Sequence, residues 1–125
     1  MVIYRRMVEG IQLLLLHRAH HGPAFEGDWA WTPPAGSRWP GEDIDECAQR
    51  ELLEEVGLAL PLTPTDCGSI EWLVYVAEAQ PDVTVRLDEE HDRYAWVSPA
   101  KALGLCAPSA ASEPLTRAVS FIRSL

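Results

Sequence analysis

Gly41–Gly57, "GEDIDECAQRELLEEVG", sets seven carboxylates against one arginine and crowds three of them, Glu51, Glu54 and Glu55, into five residues. The same stretch carries a helical period: Ile44, Ala48, Leu52 and Val56 recur every four residues, and Gly57 stands where a helix commonly stops. At about 100° per residue, Leu52 and Val56 face a core while Glu51, Glu54 and Glu55 share an adjoining sector about 100° wide. Glu55 lies nearest the apolar side, where partial burial makes an unpaired charge costly and like-charged neighbours raise the cost. A solvated acidic face explains an ordinary glutamate pair, but not crowding against a core. A divalent cation does, because hard cations take oxygen ligands and cancel the repulsion.

Around this helix the chain reads as alternating strands and helices. "VIYRRM" and "IQLLLLHR" are two strands about the turn "VEG". From Ala19 to Pro40 the Gly, Pro, His and Trp content predicts a surface loop around one short extended piece near Trp29–Thr32. "SIEWLVYVAEAQ" and "VTVRLD" have strand character with a turn at Pro81-Asp82, and "RYAWVSP" reads as one more strand. "SPAKALGL" is a short helix capped by Ser98 with Pro99 at its first position. "SEPLTRAVSFIRSL" is a longer one, capped by Ser112, with Leu115, Ala118, Val119, Ile122 and Leu125 as its apolar stripe. This order predicts an α/β protein: one domain over residues 1–125, with a mixed sheet and helices on its faces.

Composition narrows the function. The net charge of -9 opposes the phosphate backbone of DNA or RNA, so long nucleic acid is excluded as a partner, whereas a small anion bridged by cations is not. The run "IQLLLL" is too short to span a bilayer, and "MVIYRRMVEG" lacks the order of a secretory signal, so a cytoplasmic location without membrane contact is expected. Cys47, Cys67 and Cys106 are odd in number and widely spaced, which predicts buried apolar residues rather than disulfides or zinc ligands. His17, His20, His21 and His91 show no zinc spacing either.

Gly36, five residues, Glu42, seven residues, then Arg50-Glu51-Leu52, Leu53, Glu54-Glu55, Val56 and Gly57-Leu58 resembles the Nudix box, G-x5-E-x7-R-E-U-x-E-E-x-G-U with U aliphatic, at all nine defined positions. At average residue frequencies such a match arises at roughly one in a billion starting points. The resemblance implies a Nudix fold, a mixed sheet sandwiched between helices. It further implies that Glu51, Glu54 and Glu55, with the main-chain carbonyl of Gly36, bind Mg2+ or Mn2+, and that Glu42 and Arg50 pair to hold the loop on the helix. The family cleaves a pyrophosphate bond in a nucleoside diphosphate linked to another group. Water attacks phosphorus in line, metals mask the oxygens' charge, and a carboxylate takes the proton.

"EEHDRYAW" is similar to the E-H-x-x-Y-x-W stretch of Nudix members acting on dihydroneopterin triphosphate, nucleoside triphosphates or dinucleoside polyphosphates. Glu90 thereby becomes a candidate metal ligand or general base beside Glu54 and Glu51, the alternative being that Glu89 and Glu90 are loop charges. "WTPPAGS" resembles the W-x-x-P-x-G approach to the box, but Ala35 stands where dinucleoside polyphosphate hydrolases carry lysine. Tyr75 lies where those enzymes carry a tyrosine. The proline that ADP-ribose members place in that region is missing.

Trp39, in the box loop, is a candidate for stacking on a base, while Trp72 and Trp96 are expected in the core. Arg5, Arg6 and Arg18 could reach phosphates, although strand alternation prevents Arg5 and Arg6 from facing one site together.

The expected function is a metal-dependent pyrophosphohydrolase that converts a nucleoside triphosphate, or a triphosphate of similar shape, to monophosphate and pyrophosphate. A dinucleoside polyphosphate hydrolase is the alternative. A nucleotide-binding module without catalysis would have shed box carboxylates, and a purely structural acidic domain would not need the spacing of Gly36, Glu42 and Arg50. The expected partner is a small phosphorylated, nucleotide-like substrate, and a homodimer is left open.

Overall fold

β1 (Val2–Met7) and β2 (Gly10–Arg18) form an antiparallel hairpin, pairing Tyr4 with Leu13 and Met7 with Gly10. The computed structural model describes residues 1–68 and 73–125. The further end of β2 carries β3 (Trp31–Thr32) beside it, and β6 (His91–Val97) runs antiparallel along β2 from Leu13 to Arg18. β5 (Tyr75–Glu78) lies parallel to β1, and β4 (Thr63–Pro64) closes the edge antiparallel to β5. The sheet is therefore mixed, as expected. The segment predicted as a strand from Ser69 enters the sheet at Tyr75; Trp72 lies outside the described residues.

Alternation along the strands divides the core. Val2, Tyr4, Leu13 and Leu15 join Ala102 of α2 (Pro99–Leu105) and Leu115, Ala118 and Ile122 of α3 (Ser109–Arg123) on one face. Ile3, Leu14 and Leu16 join Leu52 and Val56 of α1 (Ile44–Val56) on the other, with Trp96 packed alongside. Helices thus cover both faces, and each buried aliphatic side chain contributes about 1.5–3 kcal/mol.

α1 is bounded as its sequence requires. Asp43 accepts from the N–H groups of Asp45 and Glu46, and Gly57, at φ 71°, turns the chain out through the left-handed region. A side chain at 57 would also meet Arg86 Cβ at 2.9 Å.

Three expectations are corrected. Val83–Asp88 is not a strand: Val83, Val85 and Leu87 do point into the α1-side core, but their backbone serves a helix end. Arg86 N–H donates to Val56 O at 2.8 Å and Asp88 N–H to Glu55 O at 3.3 Å, satisfying carbonyls that a helix C-terminus leaves open. α3 begins at Ser109 rather than after Ser112, because burying Ala111 extends it by a turn, and Pro114 then sits inside the helix. Leu125 is exposed beyond the last turn and contributes nothing to the stripe.

Candidate active site

The acidic helix meets the loop before it at Gly36. A Cβ there would stand 2.0 Å from Glu51 Cδ, so only glycine lets the backbone rest against that carboxylate. Arg50 fastens the loop. Its Nε donates to Glu42 Oε2 at 2.7 Å, its Nη2 to Glu42 Oε1 at 2.9 Å and to Ser37 O at 3.0 Å. The Arg50 bonds hold the Glu42 carboxyl down to about 2, and the same carboxylates raise Arg50. Glu42 and Arg50 therefore pair across loop and helix as the sequence predicted.

Arg50 Nη1 also donates to Glu51 Oε1 at 2.7 Å and to Glu54 Oε2 at 3.1 Å. Those two carboxylates turn to one guanidinium, and among the described residues no three acidic, cysteine or histidine side chains are gathered closely enough to hold one ion. Glu55 stands apart, 4% exposed, with no hydrogen-bond partner for Oε2 among the described residues. Burial pushes its carboxyl up to about 8, opposed by the Ala35 N–H and reinforced by Glu51 and Asp88.

Two residues missed by sequence reasoning complete this centre. His91 is buried, with Nε2 3.9 Å from Glu55 Oε1 and Nδ1 2.8 Å from Asp88 Oδ1. The signal for His91 was its place in the E-H-x-x-Y-x-W stretch; it opens β6 facing inward, directly after the exposed Glu89-Glu90 turn. Glu90 itself is exposed; its carbonyl accepts from Ala19 N–H at 2.9 Å, and its carboxylate pairs with none of the described residues.

One buried carboxylate oxygen without a partner among the described residues, and a backbone that comes up against Glu51 only because residue 36 is glycine, fit a divalent cation.

The candidate substrate contacts fare unevenly. Trp39 is 58% exposed, yet one face of its indole lies over Arg50, 3.7 Å from Cζ, so a cation–π contact explains it without a base. Tyr75 is buried and its hydroxyl donates to Asp45 Oδ1 at 2.5 Å, tying β5 to the first turn of α1; burial and that bond push it up to about 12. Arg5 bonds Gln12 and Pro81 O and lies over Trp96, while Arg6 turns to Tyr4 and Glu78, alternating as expected. Trp39, Tyr75 and Arg5 thus each have an intramolecular partner. Arg18, at the end of β2, has no ion-pair partner among the described residues and lines a cleft of about 220 Å³.

Set beside known proteins, residues 1–118 match the model of the NUDIX domain family. The chain is 35% identical over 100 residues to the asymmetrical bis(5'-nucleosyl)-tetraphosphatase of Rattus norvegicus, covering 70% of this chain and 64% of the rat protein, just under two thirds of its length. It is 33% identical over 109 residues to a nucleoside triphosphatase of Klebsiella pneumoniae, covering 71% of this chain and 74% of that protein. In structure it is similar to a C. elegans Ap4A hydrolase binary complex, with a TM-score of 0.79, 26% identity and coverage of 99% of this chain and 95% of that one.

Proposed function

The chain belongs to the Nudix family, and on that premise we propose that it hydrolyses dinucleoside polyphosphates asymmetrically, with a divalent cation, through the centre built on Glu51, Glu54, Glu55 and Gly36. The observation that carries the reaction is Glu55, a buried carboxylate with one oxygen unpartnered among the described residues, beside the Gly36 loop. Support for the substrate comes from the rat and C. elegans proteins, whose names state that chemistry. This reverses the order of the two substrates expected from sequence.

Glu51, Glu54 and Glu55, with the carbonyl of Gly36, would hold Mg2+ or Mn2+. When bound, that ion masks phosphate charge and acidifies water. Water adds to phosphorus in line and the bridging oxygen leaves with the other product, so proton removal and positioning fall to the protein. Glu90, exposed and with no side-chain partner among the described residues, takes the proton from the attacking water. Asp88 holds His91, and His91 confines the Glu55 carboxylate from the side of β6. The Arg50–Glu42 pair keeps the Gly36 loop on the helix.

A single domain of 1–125 in the cytoplasm fits three free, buried cysteines. No helix among the described residues is long and apolar enough to cross a membrane. The chemistry needs no second copy of the chain, and a homodimer remains compatible with it.

A second reading, pyrophosphohydrolysis of a nucleoside triphosphate, is favoured by Ala35 in place of lysine and by the likeness to a nucleoside triphosphatase. The deciding experiment incubates the protein with Ap4A and with each nucleoside triphosphate, in Mg2+ and in Mn2+, and identifies products. AMP and ATP from Ap4A support the first reading; pyrophosphate from triphosphates alone supports the second.

A further inference from the structure

β2 and β3 are antiparallel neighbours, yet twelve residues, Ala19–Ala30, connect them. Hairpin connections usually take about two to five residues, and longer ordered ones usually carry function. This one is ordered: Arg18 N–H donates to Ala30 O, Gly22 N–H to Ala19 O, Ala30 N–H to Gly27 O and Trp29 N–H to Ala107 O. Between the loop and the end of β2 lies the cleft of about 220 Å³, lined by Arg18, His20, His21, Phe25, Asp28 and Trp29.

The lining has a definite chemistry. His20 and His21 meet edge to face at 4.7 Å with planes crossing at 72°, and His21 lies 4.6 Å from Phe25 at 57°, so the three rings cluster with their planes crossed. Trp29 holds φ 65°, an outlier for a bulky aromatic, and such residues gather at binding sites. Asp28 is exposed and, like Arg18, pairs with no charge among the described residues. A cation left open in a chain of net charge -9 favours an anionic ligand.

The position matters equally. Arg18 pairs in register with His91, which approaches Glu55, and Ala19 N–H bonds the carbonyl of Glu90. Phe25, Trp29 and Ala30 pack on the α2/α3 face of the sheet, and the cleft meets the glutamate side at the end of β2, through the Arg18–His91 register and the Ala19–Glu90 bond. Its volume falls below the roughly 300–1,000 Å³ of pockets for drug-sized ligands and suits one ring system rather than a whole nucleotide.

We propose that this cleft receives the second base of a dinucleoside polyphosphate, stacked on His21 with its edge against Phe25 and donating an exocyclic amino hydrogen to Asp28, with Arg18 on the phosphate chain that runs to the glutamates. It rests on the dinucleoside polyphosphate function proposed above. Adenine, guanine and cytosine carry such an amino group; uracil does not. The cleft therefore selects among bases as well as counting them.

The test compares kcat/KM for Ap4A, diuridine tetraphosphate and adenosine 5'-tetraphosphate in the wild type, His21→Ala and Asp28→Ala. Both side chains are exposed, and equal melting temperatures confirm folding. Loss of a base stack raises KM for Ap4A about 5- to 100-fold in His21→Ala, while adenosine 5'-tetraphosphate, lacking the second base, changes by less than about twofold. Asp28→Ala, which removes the acceptor, narrows the preference for Ap4A over diuridine tetraphosphate. Equal losses on Ap4A and adenosine 5'-tetraphosphate, or none on either, in an enzyme that cleaves Ap4A, overturn the cleft assignment alone. A wild type that fails to cleave Ap4A overturns the dinucleoside function, and the second base with it.

Discussion

The guanidinium of Arg50 grips Glu42 through two parallel bonds, 2.7 Å from Nε and 2.9 Å from Nη2, and the indole of Trp39 lies across it. A lysine cannot reproduce that fork or the stack. Arg50→Lys is expected to lower the melting temperature more than Arg123→Lys at the end of α3, measured by thermal denaturation. An equal effect of the two would mean that the fork contributes no stability.

The same pair sets a pH dependence. Glu42 is depressed in the folded state from 4.5 to about 2, so its contribution is fully present above 4.5 and is lost as pH falls toward 2. The stability difference between wild type and Glu42→Gln, read by urea unfolding, is expected to be widest near neutrality and to close between those two values. A gap that is constant with pH would show that Glu42 does not act through its charge.

Two glycines should respond in opposite directions. At Gly36 a methyl group would stand 2.0 Å from Glu51 Cδ, whereas at Gly104 in α2 it meets nothing within 4 Å. Gly36→Ala is expected to displace Glu51 and to lower kcat by more than about tenfold, the cost of a misplaced reacting group. Gly104→Ala is expected to stabilise by about 0.5–1 kcal/mol with kcat unchanged. Paired melting and rate measurements check both.

Glu55 makes metal and fold measurable together. Without divalent ions Glu55→Gln is expected to melt no lower than wild type, because it replaces a buried carboxyl that lacks a partner for one oxygen. Millimolar Mg2+ or Mn2+ should raise the wild-type melting temperature by mass action and leave Glu55→Gln nearly unmoved. Equal shifts in both proteins would remove Glu55 from the metal site.

Glu89 and Glu90 share one exposed turn, so charge alone does not distinguish them. If Glu90 takes the proton, Glu90→Gln lowers kcat by roughly 100- to 10,000-fold with KM nearly unchanged, and Glu89→Gln is silent. If Glu90 holds metal, excess Mg2+ restores much of the rate. Full activity at limiting Mg2+ would exclude both roles and return proton removal to the box, with Glu54 next.

Sequence by itself determined α1 and its environs. Its period, its glycine stop and the box spacing from Gly36 through Arg50 act over a few helical turns, and the Glu42–Arg50 pair is the one the Nudix resemblance implies. The burial of Glu55 beside the apolar stripe was legible for the same reason. Only the tertiary structure decided what Val83–Asp88 pairs with, because an alternating apolar pattern records which side is buried and not whether the backbone meets a strand or a helix end. It likewise set Tyr75, Trp39 and Arg5 against Asp45, Arg50 and Trp96, and brought His91 to Glu55 from far along the chain. Those contacts depend on the register of β6 on β2 and on the docking of α1 against the sheet, distances in space that no local pattern of residues encodes.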